Sequence, residues 1–304
     1  MTIGLIGLGN MGQIHLRVLK ELQKKKKIDR ILVYDENPDL LSIYSDISIG
    51  VNSLIELSDG VIIATPTETH FAIARKVMDQ EKPFLVEKPA TLDEDELCIL
   101  KNYQNCMTGF VERFNPAVIC LKQLLKDSLY GVGKVLHVSF ERVNNVENHK
   151  RKHEGIIYDV GIHDFDLAYY IFGVHGLIQH KTHIIEDGKK IIFALIEKED
   201  DSVFYTFKLS WIDDEKKRKI IVYGEDGVIT CDLVKQEVQR LDRQSGSIAY
   251  FNEKTEPVMN EIQFFIDYYV NKQDDIKYYC DDRVGVHAFY AVDAVMRHSG
   301  YTKG

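Results

Sequence analysis

Several features that mark special classes of protein are scarce in this sequence of 304 residues. It has five cysteines, and they form no Cys-x-x-Cys pair and no metal-ligand spacing, so neither a disulfide framework nor a metal site is indicated. It has no stretch of 18 apolar residues, and Met1 precedes a strand-like run without the basic region and apolar stretch of a signal peptide. These absences predict a soluble, cytoplasmic protein with reduced thiols.

Basic residues are also in the minority. The 38 lysines and arginines against 47 aspartates and glutamates give a net charge of -9, which argues against non-specific binding to nucleic acid or to an anionic membrane. The one basic run, Lys24 to Lys27, follows a predicted helix, whose C-terminus favours cations. The length favours two domains, and the expected partner is a small molecule.

The N-terminal segment has a glycine pattern in a structural context that gives it meaning. "TIGLIGLGNMGQIHLRVLKEL" starts as an apolar strand and bends into a periodic helix. In G-x-G-x-x-G, the first glycine permits the tight turn, the second lets the backbone approach a pyrophosphate, and the third lets helix and strand pack closely. We therefore predict a dinucleotide-binding turn that consists of Gly7, Gly9, Asn10, Met11 and Gly12.

An acidic residue ends the next predicted strand, "RILVYD", at Asp35. It follows the glycine pattern at about 20 residues, the distance at which a carboxylate accepts hydrogen bonds from the ribose 2'-hydroxyl. The same carboxylate repels a 2'-phosphate, so Asp35 favours NAD over NADP as the cofactor.

Strand and helix patterns continue to alternate as far as residue 113, which predicts a Rossmann domain, a doubly wound parallel sheet, over residues 1–113. Ligands of such folds bind at the carboxyl ends of the strands. Two segments end strands there, "ATPTETH" and "EKP". From them the predicted cofactor-binding residues are Thr65, Pro66, Thr67, His70, Glu87 and Lys88.

The pattern changes from about Lys134. Segments such as "KVLHVSFERV", "SVFYTFKLSWI" and "RKIIVYGEDGVITCDL" read as strands separated by polar turns, without helices between them. Residues 114–304 are therefore predicted to form an α+β domain with an open, mainly antiparallel sheet. The whole chain is then an α/β Rossmann domain followed by this α+β domain.

One predicted helix, "GIIYDVGIHDFDLAYYIFG" at residues 155–173, combines apolar residues with ionisable ones. Asp159 and His163 are four positions apart, which places them on one helical face. Such a pair suits acid–base chemistry, although it would also suit simple helix support. Asp164 and Asp166 are assigned structural roles, and no metal site is predicted on this helix.

The segments "GLGNMGQIH", "ATPTETH", "VEKPA" and "YDVGIHDFDLAYYIFG", in this order and spacing, resemble the glucose-fructose oxidoreductase and inositol dehydrogenase family (Gfo/Idh/MocA) over essentially the whole chain. The resemblance implies an NAD(P)-dependent dehydrogenase that acts on CH–OH groups of a sugar or polyol. It assigns substrate binding and oligomerisation to the domain of residues 114–304, and implies a homodimer or homotetramer assembled through the open face of the second sheet. It matches Lys88 to the family's catalytic lysine, and Asp159 and His163 to its helix-borne catalytic pair.

The chemistry of these residues agrees with those roles. Alcohol oxidation needs a proton acceptor, and histidine titrates in the right range. An adjacent Asp159 fixes the tautomer of His163, and Lys88 orients the alcohol oxygen and stabilises developing negative charge. Lys88 is the alternative base if its pKa is depressed, and the sequence leaves this choice open.

The substrate prediction depends on a segment between the domains. "GFVERFNPAV" is similar to the corresponding segment of family members that oxidise nucleotide-activated amino sugars at C3, especially UDP-N-acetylglucosamine 3-dehydrogenases. The predicted substrate-binding residues are Arg113, Asn115 and Arg142. Arg142 is placed with Lys150, Arg151 and Lys152 in a loop before the ionisable helix, which either binds a diphosphate or carboxylate or is simply an exposed polar loop. Two alternatives stay open: an inositol or free-sugar dehydrogenase, and an NAD-dependent glycoside hydrolase or lyase with transient C3 oxidation.

An oligomer is also predicted from the strand "FYTFKLSW". Phe204, Phe207, Leu209 and Trp211 place apolar side chains on both faces of the sheet, which is more apolar surface than a monomer tolerates.

Overall fold

The computed structural model describes residues 1–127, 131–145, 155–175, 181–187, 190–200, 202–242, 246–251, 253–273 and 282–298. They belong to two compact units. The first unit comprises residues 1–111 and 256–286, and the second comprises residues 112–255 and 287–304. The division thus differs from the single boundary predicted after residue 113, because a segment near the C-terminal end joins the first unit.

The strands are β1 (Thr2–Ile6), β2 (Arg30–Tyr34), β3 (Gly60–Ile63), β4 (Phe84–Val86), β5 (Cys106–Thr108), β6 (Val135–Asn145), β7 (Lys181–Asp187), β8 (Lys190–Asp200), β9 (Val203–Ser210), β10 (Ile212–Gly224), β11 (Gly227–Asp232), β12 (Glu237–Asp242) and β13 (Gly246–Phe251).

The α-helices are α1 (Asn10–Lys24), α2 (Pro38–Ile43), α3 (Val51–Leu57), α4 (Thr67–Met78), α5 (Glu94–Asn102), α6 (Pro116–Lys126), α7 (Ile162–Phe172), α8 (Pro257–Phe264) and α9 (Val286–His298). Wider π-helical turns precede α7 at Ile157–Gly161 and follow α8 at Phe265–Val270, and a 3-10 turn spans Val111–Phe114.

The first unit has a five-stranded parallel sheet in the order β2-β1-β3-β4-β5. Its strands are apolar and almost fully buried, as in Ile3, Val33 and Ile62. Strands buried on both faces are typical of parallel sheets that helices cover on both sides. The predicted Rossmann fold is confirmed.

The returning segment α8 and its π turn cover part of this sheet. Ile262, Phe265 and Ile266 are buried, and a Cβ atom at Gly60 would lie 2.7 Å from the side chain of Val270. The segment therefore buries its apolar face against the first unit, although it is distant from β3 in sequence. That contact is why the first unit includes residues from the end of the chain.

The second unit has an eight-stranded sheet in the order β13-β12-β11-β10-β6-β9-β8-β7. The pairing of β6 with β9 is parallel, and the other pairs are antiparallel. The predicted mainly antiparallel sheet is confirmed. The sequence analysis did not identify β7 or β13.

One face of the second sheet packs against α7 and the π turn that precedes it. Phe140 stacks on Phe207 at 4.8 Å between ring centroids, and Phe165 of α7 meets Phe207 edge-on at 5.2 Å. Phe207, Leu209 and Trp211 are buried. Among the four apolar residues predicted to lie on both faces, only Phe204 is exposed, with 41% of its surface accessible.

Within the residues described, no helix has both the length and the apolar character needed to cross a membrane. Cys106, Cys120 and Cys231 are buried free thiols and Cys98 is an exposed one. Cys280 lies outside the described residues.

Candidate functional site

The glycine turn between β1 and α1 has the backbone that its sequence predicts. Gly7 has φ +96°, and a Cβ atom there would lie 2.5 Å from the carbonyl oxygen of Ala64. A Cβ atom at Gly12 would lie 2.0 Å from the carbonyl oxygen of Gly7. Only glycine fits these two positions. At Gly9 a Cβ atom would meet no atom within 4 Å, so the backbone there is open to a ligand.

The N-terminus of α1 lies directly after this open backbone. Gly9 is its N-cap and provides no side-chain cap, and the first turn contains no acidic residue. The N–H groups of a first helical turn have no intrahelical partner, and the helix dipole favours an anion there. Gly9 and Asn10 are exposed and Met11 is partly exposed. This arrangement fits the pyrophosphate of a dinucleotide.

Asp35 lies beside the same turn. One of its carboxylate oxygens accepts the N–H of Leu8 at 2.6 Å, and the other accepts the N–H of Asn37 at 2.8 Å. The side chain is only partly buried, and each carboxylate oxygen has a second lone pair for a ribose hydroxyl. The position suits the role that the sequence analysis gives to Asp35.

The segment after β3 contains both surface and buried residues. Pro66 is exposed, Thr65 and Thr67 are partly exposed, and the three lie at the N-terminus of α4. His70 is 1% exposed, and its ring nitrogens lie 2.9 Å from the carbonyl oxygen of Pro89 and 2.8 Å from that of Thr65. Its observed contacts are thus with the backbone, and its role in cofactor binding stays a prediction.

The segment after β4 includes a buried contact that the sequence analysis missed. Nε2 of His15, on α1, lies 2.7 Å from Oε1 of Glu87, and both side chains are buried. Lys88, the next residue, is partly exposed. Two features of the sequence could have indicated this contact. One is a histidine three residues after Gly12 in the predicted helix, and the other is an acidic residue at the end of a neighbouring strand.

The ionisable helix of the second unit is not a uniform α-helix. Residues 155–173 were predicted as one helix, but Ile157–Gly161 forms a π turn, which closes i to i+5 hydrogen bonds, before α7 begins at Ile162. A Cβ atom at Gly161 would lie 2.7 Å from Leu209, so the chain passes very close to β9 there. Asp159 lies in the π turn and His163 in α7. Such turns are frequent at functional sites.

The four ionisable residues of this helix divide into two classes. Asp159 and His163 are partly exposed, whereas Asp164 and Asp166 are 3% and 2% exposed. Asp166 is paired with Arg113 of the 3-10 turn, whose Nε lies 2.9 Å from Oδ2 while Nη2 binds the other carboxylate oxygen. This two-point pairing has the geometry that arginine favours. The structural role assigned to Asp166 agrees with this contact.

Asp164 belongs to a larger network with the buried Glu112 and Arg142 and the partly exposed Arg218. Nε of Arg142 donates to Oδ1 of Asp164 at 2.8 Å, and its Nη1 donates to Oε1 of Glu112 at 3.0 Å. Nη1 of Arg218 reaches the same Glu112 oxygen at 3.1 Å. The other oxygen of Glu112 accepts Asn115 Nδ2 at 3.2 Å. The network joins the 3-10 turn, β6, β10 and α7.

The two carboxylates of this network have different protonation properties. Burial opposes ionisation of Glu112, but the guanidinium groups of Arg142 and Arg218 outweigh it and hold the pKa of Glu112 below its ordinary value. Burial raises the pKa of Asp164, and Arg142 offsets only part of that effect. The difference arises because Glu112 has two cationic partners and an amide donor, whereas Oδ2 of Asp164 makes no hydrogen bond within the described part of the chain.

Three residues predicted to bind substrate are therefore held in the interior of the second unit. Arg113, Asn115 and Arg142 are 5%, 2% and 4% exposed. Arg142 lies in β6 and not in the loop predicted for it, because its guanidinium pairs with Asp164 and Glu112. The observed contacts of the three residues are structural, and contact with substrate stays a prediction. Lys150, Arg151 and Lys152 lie outside the described residues.

Models of one protein family match parts of both predicted domains. Residues 1–105 match the model of the GFO_IDH_MocA oxidoreductase family with an NAD-binding Rossmann fold, and residues 119–230 match the GFO/IDH/MocA C-terminal domain. UDP-N-acetylglucosamine 3-dehydrogenase of Acidithiobacillus ferrooxidans is 25% identical over 261 residues, 82% of this chain and 79% of that protein. Myo-inositol 2-dehydrogenase of Thermotoga maritima is 28% identical over 300 residues, 88% of this chain and 87% of that protein.

Two solved structures have the same fold. The structure of the Acidithiobacillus ferrooxidans enzyme matches with a TM-score of 0.83 and 22% identity, over 99% of this chain and 97% of that chain. A levoglucosan dehydrogenase in complex with NADH and levoglucosan matches with a TM-score of 0.83 and 16% identity, over 99% of this chain and 97% of that chain.

The Rossmann unit, its glycine turn and the family matches together define an NAD-binding oxidoreductase. The chain belongs to the Gfo/Idh/MocA family. The predicted family, the enzyme class of NAD(P)-dependent dehydrogenases acting on CH–OH groups, and NAD as the cofactor are confirmed.

Proposed function

We propose that this enzyme oxidises a secondary hydroxyl of a sugar or sugar derivative, and that C3 of a nucleotide-activated amino sugar is the first candidate. The similarity to a UDP-N-acetylglucosamine 3-dehydrogenase over most of both chains supports this substrate class.

The residues of the first unit fit NAD. The open backbone at Gly9 and the N-terminus of α1 would hold the pyrophosphate, and Asp35 would hold the adenosine ribose. Thr65, Pro66 and Thr67 lie at the surface of the same sheet edge, where the rest of the dinucleotide would bind. Bound NAD supplies the hydride acceptor.

In the proposed reaction, His163 accepts the proton of the substrate hydroxyl through a ring nitrogen. Asp159 orients the imidazole ring and stabilises its protonated form. Lys88 donates a hydrogen bond to the hydroxyl oxygen and stabilises the negative charge that develops on it. The alternative in which Lys88 accepts the proton uses the same residues with exchanged roles.

One observation carries this proposal. The buried carboxylates of α7, Asp164 and Asp166, are paired with arginines, whereas Asp159 and His163 on the same helical segment stay partly exposed. A partly exposed acid–base pair beside arginine-paired carboxylates can be reached by a substrate.

The test is a panel of UDP-amino sugars, free sugars and inositols. The formation of NADH is followed by absorbance, and the product is identified by mass. Formation of NADH with a UDP-amino sugar and a product two mass units lighter supports the proposal. Glycoside cleavage without net NADH would assign the enzyme to the hydrolase or lyase alternative. The absence of any reaction across the panel would contradict the proposed substrate class.

An inositol is the second candidate substrate, because the myo-inositol 2-dehydrogenase of Thermotoga maritima is similar over most of its length. The same panel distinguishes it: NADH would form with inositols and not with sugar nucleotides.

The choice of NAD over NADP depends on Asp35. Replacement by serine or alanine should narrow the ratio of the two dissociation constants by about ten- to a hundredfold, since a hydrogen bond to a charged acceptor is lost and a 2'-phosphate is no longer repelled. Fluorescence titration with NADH and NADPH measures the ratio. Asp39→Ala, which removes an exposed charge in the first turn of α2, is the matched control. Equal affinity of the wild-type enzyme for NADH and NADPH would contradict the role of Asp35 in cofactor choice.

Self-association through the second sheet is the proposed partner interaction, as a homodimer or homotetramer. The register places His137, Phe204 and Tyr223 side by side on adjacent strands, and we call these three residues the aromatic row. His137 stacks on Tyr223 at 5.1 Å, and Phe204 and Tyr223 are 41% and 38% exposed. Exposed aromatic surface of this kind is typical of an interface.

Light scattering after size-exclusion chromatography at micromolar concentration should therefore give at least twice the mass of one chain. Phe204→Glu should lower the oligomeric fraction, because it introduces a charge into the aromatic row. Leu57→Glu, at an exposed apolar residue of α3 in the first unit, should leave the mass unchanged. A monomeric wild type under these conditions would contradict the proposal.

A further inference from the structure

Two buried histidines contact the residues on either side of Lys88. Both lie in the first unit, on helices that begin at the carboxyl edge of the parallel sheet: His15 on α1 and His70 on α4. They are 0% and 1% exposed. Neither can reach solvent, so their ring nitrogens act within the protein interior.

His15 holds the residue before Lys88. Its Nε2 lies 2.7 Å from Oε1 of Glu87, and Oε2 of Glu87 accepts the backbone N–H of Lys88 at 3.3 Å. The same carboxylate thus joins a rigid helix to the backbone of Lys88. Gly109 packs beside this carboxylate, since a Cβ atom there would lie 3.4 Å from Oε1, at ordinary van der Waals distance.

His70 holds the residue after Lys88. One ring nitrogen lies 2.9 Å from the carbonyl oxygen of Pro89, and the other lies 2.8 Å from that of Thr65. Both acceptors are carbonyl oxygens, so each contact is a hydrogen bond only when the nitrogen concerned carries a proton. A neutral ring with its proton on Nδ1 donates to the carbonyl oxygen of Pro89 and packs against that of Thr65.

We infer that His15 and His70 are positioning residues for Lys88, which together fix the turn Glu87-Lys88-Pro89 from both sides. A reacting lysine must be held close to its productive geometry by groups that are themselves fixed by packing. The inference rests on the proposed function, in which Lys88 contacts the substrate oxygen. Glu87 and His70 are then supports of the site, and need not contact the cofactor.

The first test does not need the substrate. The full chain is trace-labelled with acetic anhydride, and peptide mass spectrometry gives the labelling rate of Lys88 relative to Lys24, an exposed lysine at the end of α1. His15→Phe and His70→Phe keep a planar ring and remove both nitrogens. We expect each variant to raise the relative labelling rate of Lys88 by about two- to tenfold. Loss of one hydrogen bond lets the turn Glu87-Lys88-Pro89 open to the reagent more often by that factor.

Two further variants serve as a control and as a second way to weaken the contact of His15. Ser58→Ala removes a buried hydroxyl of the same unit that donates to Leu54, so it should leave the ratio unchanged. Glu87→Gln has the shape of the wild-type residue and weakens the same contact as His15→Phe, so it should raise the ratio even if a phenylalanine variant fails to fold. Circular dichroism and NADH binding identify the folded variants. A ratio equal to that of wild type in every folded variant would overturn the inference.

The second test uses the substrate that the panel identifies. His70→Phe should lower kcat by about tenfold or more while the dissociation constant of NAD changes little, because the contact fixes Lys88 and not the glycine turn. His70→Gln, whose amide can donate to one carbonyl oxygen, should recover part of kcat. If no compound of the panel gives a product, the proposed function is rejected, and the labelling result still tests the positioning role. Unchanged labelling in an active enzyme would reject only the positioning role.

Discussion

Replacement of His163 by alanine is expected to lower the rate of the chemical step by about 10² to 10⁴, the range for loss of a general base. Lys88→Ala should be at least as damaging, because it removes the cation that stabilises the reacting oxygen. Asp159→Asn should have a smaller effect than His163→Ala if the carboxylate only orients the ring. Single-turnover formation of NADH with the identified substrate measures the three rates.

The binding of NAD provides the internal control for these variants. The cofactor-binding turn belongs to the first unit and His163 to the second, so the dissociation constant of NAD should change little in His163→Ala. His183→Ala, at an exposed histidine of β7, is the matched control and should keep the wild-type rate. Equal turnover by wild type and His163→Ala would show that the helix does not have the role proposed for it.

Replacement of Arg142 by methionine is expected to cost about 3–5 kcal/mol in the free energy of unfolding of the second unit. It leaves Asp164 buried without the guanidinium that faces it, and removal of one partner of a buried ion pair has costs in this range. Trp211 is the single tryptophan of the chain and is buried in the second unit, so its fluorescence during urea unfolding reports on that unit.

An exposed arginine with two carboxylate partners provides a comparison. Arg17 pairs with Glu21 and Glu256 at the surface of the first unit, and Arg17→Met should cost at most about 1 kcal/mol in the free energy of unfolding of that unit, because water screens such pairs. Far-UV circular dichroism during urea unfolding, to which both units contribute, measures this variant. The double variant Arg142→Met/Asp164→Asn should be more stable than Arg142→Met alone, since no buried carboxylate then lacks its cation. If Arg142→Met and Arg17→Met have similar effects, the buried network does not stabilise the second unit.

Some parts of the site could be predicted because they depend on local backbone requirements. The positive φ of Gly7 and the close approach at Gly12 allow only glycine, so these positions can be read from the pattern. The place of Asp35 beside the glycine turn was predictable because a strand end and its distance from the glycines fix it, and its contact with the cofactor stays a prediction. The partly exposed Asp159 and His163 were assigned catalytic roles through the resemblance to a family, since spacing alone also suited helix support, and those roles stay predictions.

The contacts that distinguish the residues of the site are distant in sequence. Arg113 and Asp166 are 53 positions apart, and His15 and Glu87 are 72 apart. A single sequence contains no periodicity that relates such positions, so the three residues predicted to bind substrate could not be recognised as partners of buried acids. The π turn before α7 could not be predicted from the sequence for a similar reason, because the close approach of Gly161 to β9 is a tertiary contact.

The sequence by itself determined the Rossmann unit, the mainly antiparallel second sheet, the dinucleotide turn and NAD as the cofactor, because hydrophobic periodicity and glycine geometry act over a few residues. Only the tertiary structure decided which ionisable residues are buried in ion pairs and which stay exposed. It also decided that residues 256–286 complete the first unit. Burial depends on which distant segments pack together, and a charge can be buried only where such a segment supplies its partner.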